Sequence, residues 1–308
     1  MITKYFRSIR QDNISTDDEI KRGTWLHCVN PEKNELEELA ERFNLDIGAL
    51  RDGLDLHESP RIEHEDGKVY LYVRYCLPIE GAETSTQPLL IILTGDQLIT
   101  LARREVDPID GLVRAGGIVT TQKLKVILQI LTAINKGYRI YLGQVTKQVF
   151  ASRSRLQKRI VSDADIIRFI DTEEDLNEIL AALQPYGILL KALASGRYFN
   201  FHADDLDLIE DLELSSSELI ELSKSRLKTI QNMRNAHSTI AANNLNRIFK
   251  RLTSIAIFLS IPTIVGGLYG MNVALPLEDN PYAFWIILTI TSVVVASFVR
   301  VFSKKNWT

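Results

Sequence analysis

The chain has 308 residues, 45% of them apolar, with 39 acidic against 36 basic side chains and a formal net charge of −3. That length holds a soluble domain plus a membrane anchor, and a near-neutral total gives no sign of a nucleic-acid partner. Cys28 and Cys76 are too few for a disulfide framework and read as buried, reduced thiols, while the opening Met1-Ile2-Thr3-Lys4-Tyr5 has no apolar region of the kind a cleaved signal needs.

Residues 25–29 form a short strand. Asn30-Pro31 then opens a helix to about Phe43, with proline near its first turn and Leu36 and Leu39 at helical spacing. Asp46 caps a second, short helix toward Leu54. Residues 69–76 alternate aromatic and aliphatic side chains with Tyr and Arg, a strand pattern. Residues 89–93 and 98–102 flank Gly95-Asp96 and read as a hairpin. From Thr121 to about Leu193 the pattern is helical, with breaks expected near residues 163–172 and around Pro185. The sum over residues 1–200 is an α/β/α domain, sheet early and long helices later.

Between residues 204 and 269 the only proline is Pro262 and the only glycines are Gly266 and Gly267. One helix over that stretch would be on the order of 100 Å long, a stalk over residues 204–250 continuing into a span over 252–270. Leu219, Leu222, Ile230, Met233 and Ile240 give it a partial coiled-coil-like seam. Residues 252–277 and 280–299 carry no charge, and about 20 apolar residues cross a bilayer as a helix. The C-terminal fifth therefore reads as spans over 252–270 and 282–300, an intervening loop over 271–281 and a basic tail over 301–308. Tyr282, Trp285 and Trp307 look like interface aromatics. Two helices surrounded by lipid cannot enclose an ion path, so such a path requires several copies of the chain.

Charge is unevenly distributed. Residues 204–222 hold eight acids and no base; residues 224–251 hold seven bases and no acid. Arg247, Lys250 and Arg251 flank the first span, Arg300, Lys304 and Lys305 end the second, and the loop carries only Glu278 and Asp279. The positive-inside rule then puts both termini in the cytoplasm and the loop outside. No GxxxxGK[ST] loop is present, and His27, His57, His64, His202 and His237 show no paired metal spacing. Nothing argues for nucleotide binding or for an enzyme.

The tetrapeptide Tyr269-Gly270-Met271-Asn272 sits between the two uncharged segments, with Pro262 and Gly267 upstream and Lys304-Lys305-Asn306-Trp307 near the end of the chain. This arrangement resembles the CorA family of magnesium transporters, whose signature is Gly-Met-Asn. The likeness extends through Thr24-Trp25-Leu26, Asn30-Pro31 and Glu35-Leu36-Glu37, which resemble the first strand and helix of that family's cytosolic domain. Ser59-Pro60-Arg61-Ile62-Glu63 and Val69-Tyr70-Leu71-Tyr72-Val73 resemble its next helix end and strand. One stretch departs. Many members follow the signature with a bulky residue, an acid and Met-Pro-Glu, whereas here the acids are displaced outward to Glu278 and Asp279.

The resemblance implies a homopentamer in the plasma or inner membrane, surrounded by lipid. The first span would line the pore, Mg2+ would be both cargo and cytosolic regulator, and Co2+ or Zn2+ would be the cargo of other members. It implies a filter at Gly270, Met271 and Asn272, a lining of Asn246, Phe249, Leu252, Ser260, Thr263 and Gly267, and a regulatory acid at Asp211. Mg2+ holds its waters tightly in octahedral geometry, so a ring of Asn272 amides and Gly270 carbonyls would bind the hydrated ion through those waters. Asn272 as a helix C-cap, Phe249 and Leu252 as lipid-facing, and the acidic run as a solvated face remain open alternatives. So does a zinc or cobalt transporter, or a non-conducting membrane-anchored sensor or scaffold.

Overall fold

The computed structural model describes residues 2–11, 13–16, 19–77, 86–157, 163–277 and 279–304. The chain divides into two compact units, Met1–Met233 and Arg234–Thr308.

The first unit is built on a seven-stranded sheet. Its strands are β1 (Ile2–Phe6), β2 (Ser15–Thr16), β3 (Trp25–Val29), β4 (Arg61–Glu65), β5 (Lys68–Cys76), β6 (Thr86–Leu93) and β7 (Leu98–Ala102). They lie in the order β2-β1-β3-β7-β6-β5-β4. All neighbours are antiparallel except β3 and β7, which run parallel with Trp25 opposite Leu98. Two short helices, α1 (Lys33–Phe43) and α2 (Ile47–Asp52), cover one face. Leu36, Leu39, Ala49 and Leu50 pack there on Leu26, Tyr70, Leu90 and Ile99. The other face carries α3 (Asp107–Ala115), α4 (Lys123–Gln157) and α5 (Asp163–Ala194). Tyr138 on α4 donates to Arg74 O on β5 at 3.1 Å, and Thr86 on β6 donates through its backbone N–H to Glu178 on α5 at 3.0 Å.

Local chemistry explains most boundaries. Helix α1 begins two residues after Pro31, because Glu32 and Glu35 form a reciprocal capping box and Asn30 takes φ 45°. Asp46 caps α2 by accepting from Gly48 N and Ala49 N at 3.1 and 2.9 Å. Residues 61–65 are a strand, whereas the resemblance over residues 59–63 implied a helix end. Asp66 and Gly67 both have positive φ (48° and 73°), which closes the two-residue β4–β5 hairpin with the twist that antiparallel strands require. Pro88 sits in β6 opposite Arg74 of β5 but beyond the ladder to β7, so its missing N–H breaks no pairing on that side.

Helix α5 corrects the expected breaks. It runs unbroken through residues 163–172 and through Pro185. A mid-helix proline costs roughly 3 kcal/mol. Leu183, Tyr186, Leu189 and Leu190 are buried around it, and Tyr186 donates to Leu131 O at 3.1 Å, so packing outweighs that cost.

Helix α6 (Ala203–Tyr269) is one 67-residue element. Leu219, Ile230 and Met233 of its apolar seam are buried within the first unit. There Arg226 donates to Thr146 on α4 at 3.1 Å and Gln231 to Glu173 on α5 at 3.3 Å. That part of the seam packs on the chain's own helices. The second unit comprises the rest of α6, a short loop and α7 (Ala283–Lys304). Both helices are long and apolar enough to span a membrane. Their apolar windows are only 6% and 0% buried, which separates them from core helices of a soluble fold.

Candidate functional site

In the second unit α6 shows two different faces. At 3.6 residues per turn, Asn246, Phe249, Leu252, Ser260, Thr263, Gly267 and Gly270 fall within an arc of about 120°, and all seven are exposed. The opposite side meets α7. Phe258 stacks edge-on against Phe302 at 5.6 Å, and Pro262, Val265, Gly266 and Tyr269 wall a crevice shared with α7. The α7 side of the hairpin and the polar-and-small stripe are thus on different sides of one helix.

The stripe presents acceptors. Ser260 and Thr263 each donate a hydroxyl hydrogen back to a carbonyl of their own helix, Ile257 O and Leu259 O, both at 2.9 Å. Their oxygen lone pairs are left facing outward. Such oxygens accept from the waters of a hydrated cation and add no charge. Phe249 and Leu252 are two apolar positions on the same stripe, at its N-terminal end beside Asn246.

The helix ends at the signature. Gly270 N donates to Gly266 O at 3.0 Å and Met271 N to Leu268 O at 3.3 Å. A Cβ on Gly270 would approach Gly266 O at 3.2 Å, tighter than side chains normally tolerate against backbone. Met271 and Asn272 are exposed. Among the described residues the Asn272 side chain makes no hydrogen bond. The loop is pinned from both sides. Tyr269 donates to Pro276 O at 3.4 Å, and Asn280 Oδ1 accepts from Tyr282 N at 2.9 Å just before α7. Asp279 is exposed beside this turn. Glu278 and Trp307 lie outside the described residues, whereas Tyr282 and Trp285 are exposed near the start of α7.

The acidic stretch of α6 lies in the first unit. Part of it is neutralised within the chain: Lys191 pairs with Glu213 at 3.4 Å, Arg139 with Glu218 at 3.4 Å and Lys224 with Glu221 at 2.8 Å. Asp211 is exposed and, among the described residues, has no ion-pair partner. No three His, Cys, Asp or Glu side chains among those residues converge as a metal cluster. Glu63 is held by Arg61 at 2.8 Å. The same guanidinium also takes Asp52 at 3.2 Å and Glu58, and it stacks on Tyr72 at 3.8 Å.

Two buried polar groups escaped the sequence reading. Arg74 is 7% exposed and donates to Thr86 Oγ1 at 2.8 Å, to the carbonyls of Leu56, Glu58 and Thr86, and to Glu178, tying α5 to the loop before β4. Its signal was a lone base inside an otherwise apolar strand. His27 is 3% exposed, with Nδ1 2.8 Å from Thr100 Oγ1 and Nε2 without a partner. Burial pulls its pKa down to about 4. Burial likewise pushes the Cys28 thiol up to about 12 and raises Cys76, so both cysteines are unreactive thiols.

An α/β/α domain followed by one long helix and an apolar hairpin is the architecture of a membrane protein with a large globular unit and two candidate spans. The family of CorA-like Mg2+ transporter proteins matches over residues 21–304, and the chain belongs to that family. The cobalt/magnesium transport protein CorA of Methanocaldococcus jannaschii is 25% identical over 312 residues, covering 96% of this chain and 94% of the relative. Its counterpart in Thermotoga maritima is 19% identical, covering 92% of this chain and 83% of the relative. The complete structure of the CorA magnesium transporter from Methanocaldococcus jannaschii superimposes with a TM-score of 0.86 at 22% identity, over 100% of this chain and 99% of that one. The fold is the same from end to end.

Proposed function

We propose that the chain assembles into a homo-oligomeric channel, a pentamer, which passes hydrated divalent cations, chiefly Mg2+, into the cytoplasm. The observation that carries this reading is the exposed stripe on α6, which has small and oxygen-bearing residues on the side turned away from α7. Among the described residues of one copy that stripe is exposed. In a ring of copies it lines a path, with α7 outside against lipid. Irregular backbone such as the Gly270 turn is tolerated at membrane depth only where it lines a cavity or is buried in protein.

In this reading Gly270, Met271 and Asn272 form the filter. Asn272 amides and Gly270 carbonyls hold the ion by its first hydration shell, because stripping Mg2+ of water is slow and costly. Ser260, Thr263 and Asn246 repeat that outer-shell binding along the path. Phe249 and Leu252 form an apolar constriction that stops conduction when it dewets. Glu278 and Asp279 raise the local cation concentration at the external mouth. A doubly charged ion gains about 4.6 kcal/mol per 100 mV of membrane potential, so uptake needs no nucleotide. Asp211 contributes one ligand of a regulatory Mg2+ site completed by a neighbouring copy.

Co2+ is a second cargo, supported by the cobalt/magnesium naming of two relatives. Met271 before Asn272 favours the magnesium branch over zinc. The test is flux into proteoliposomes containing a magnesium-sensitive dye, repeated with Co2+ and Zn2+ under an imposed potential. Potential-driven Mg2+ entry is expected. Absence of flux for every divalent ion from correctly inserted oligomers would leave the non-conducting scaffold as the better reading.

A further inference from the structure

The crevice between α6 and α7 has a volume of about 230 Å3 and no charged lining residue. We propose that it holds one fatty acyl chain of a membrane lipid. The inference rests on the reading that α6 and α7 span the bilayer.

Four observations point to that occupant. First, the space is open rather than a packing fault closed by neighbours: a Cβ on Gly266, which lines it, would meet no atom within 4 Å. Second, its polar atoms are already engaged. Thr291 donates to Ile287 O at 2.8 Å, and Tyr269 donates to Pro276 O at 3.4 Å. Water would find too few partners there, and dry apolar cavities of comparable size take apolar guests. Third, the crevice is continuous with the outward apolar surface of α7, since Phe284 and Leu288 both wall it and are 67% and 46% exposed. Fourth, its size excludes a second helix, whose diameter with side chains is about 10–12 Å, but admits a single alkyl chain.

The driving force is packing. Lipid tails are as apolar as the walls, so no hydrophobic gain separates bound from free. An empty void, however, forfeits dispersion contacts on every wall, and a chain entering from the adjoining bilayer restores them. The Phe258–Phe302 contact joins the two helices at the end of the hairpin away from the loop. Tyr269 both walls the crevice and precedes Gly270. An acyl chain lodged there sets the spacing of α6 and α7 immediately beside the signature.

The test uses the full-length protein in phosphatidylcholine vesicles containing a lipid with a photoreactive diazirine in its acyl chain. After illumination, adducts are mapped by peptide mass spectrometry. Adducts should be enriched several-fold on Phe284, Ile287 and Leu288 over Ile290 and Val293, which are exposed on α7 but do not wall the crevice. Gly266→Leu, which fills the space from α6, should erase the enrichment and leave the Ile290 and Val293 adducts in place. Thr291→Leu, which fills it from α7, should do the same and carries the comparison if Gly266→Leu fails to assemble. Even labelling along α7, or enrichment that survives filling, overturns the proposal. Labelling of Ile290 and Val293 with none in the crevice also overturns it and assigns the space to a side chain of another copy. No lipid adduct anywhere on α7 would instead remove the spanning reading, and the proposal with it.

Discussion

Asn272 and His27 mark the two kinds of exposed and buried polarity in this chain. Asn272 is an amide with no internal partner among the described residues, on a turn where Gly270 lets the backbone pass close to Gly266 O. A free amide at that position costs nothing in water and is available to bound water on a cation. Asn272→Ala should abolish Mg2+ flux in proteoliposomes while the purified oligomer keeps its mass, because no packing contact is lost; wild-type flux would remove the filter assignment. His27 is the reverse case. Folded His27 titrates at about 4, against 6.5 for the exposed side chain, because burial disfavours its charged form. As pH falls through 6.5 the unfolded chain takes up a proton that the folded chain refuses until about pH 4. Its contribution is therefore complete above pH 6.5 and is lost on acidification between about 6.5 and 4, by up to roughly 3 kcal/mol. In thermal unfolding, His27→Gln should show a shallower acid loss over that window than wild type. Equal slopes would mean that His27 stays neutral for another reason or is solvated. Asn272 stands out in the sequence because its neighbours form a motif. His27 does not, since nothing in a strand sequence distinguishes a buried imidazole from an exposed one.

Elements succeed or fail on what they pack against. Helix α2 ends at Gly53, where an added Cβ would lie 2.6 Å from Leu90 Cβ and Cδ2, and Leu90 is fully buried in β6. The φ of −61° at Gly53 suits any residue, so the constraint is space alone. Gly53→Ala should cost about 1–3 kcal/mol by overpacking, read as a lower unfolding midpoint. No loss in the single variant would show that α2 can move off the sheet. Helix α6 bears the acids, and its exposed Asp211 has no ion-pair partner among the described residues while Glu213 and Glu218 are paired. If Asp211 faces another copy, Mg2+ bridges would hold the ring closed, with a coupling of ordinary allosteric size, ~1–3 kcal/mol. Magnesium at about 20 mM, far above weak-site affinities of ~10⁻⁴–10⁻³ M, should then protect the wild type from limited proteolysis. Asp211→Lys should weaken that protection. Full protection in the variant, or none in wild type, would make Asp211 a solvated stalk residue.

At the scale of the whole molecule, one chain is incomplete. Its two candidate spans leave large apolar side chains exposed along both helices, from Leu252 and Ile255 to Val293 and Val301, and a two-helix hairpin cannot enclose water. In the proposed assembly, bilayer and further copies cover that surface. Protein purified in native-like lipid should have the mass of a homo-oligomer, expected to be a pentamer, and a stable monomer would rule out the channel.

The sequence by itself determined the order of the architecture: sheet, long helices, stalk, two spans. It also determined the family, because the absence of charge over residues 252–277 and 280–299 and the signature between them are properties of consecutive residues. Short-range chemistry carried the Asp46 cap and the β6–β7 hairpin as well. It contained the Asp66-Gly67 turn too, though a resemblance to a helix end obscured it. Tertiary structure alone decided the rest. Pro185 sits inside α5 because burial around it exceeds a local penalty. Leu219, Ile230 and Met233 face the chain's own helices rather than another copy. Arg61 gathers Asp52, Glu58 and Glu63, and the stripe from Asn246 to Gly270 falls on the side of α6 away from α7. Each of these depends on residues far apart in sequence meeting in space, and local pattern carries no record of which distant partner wins.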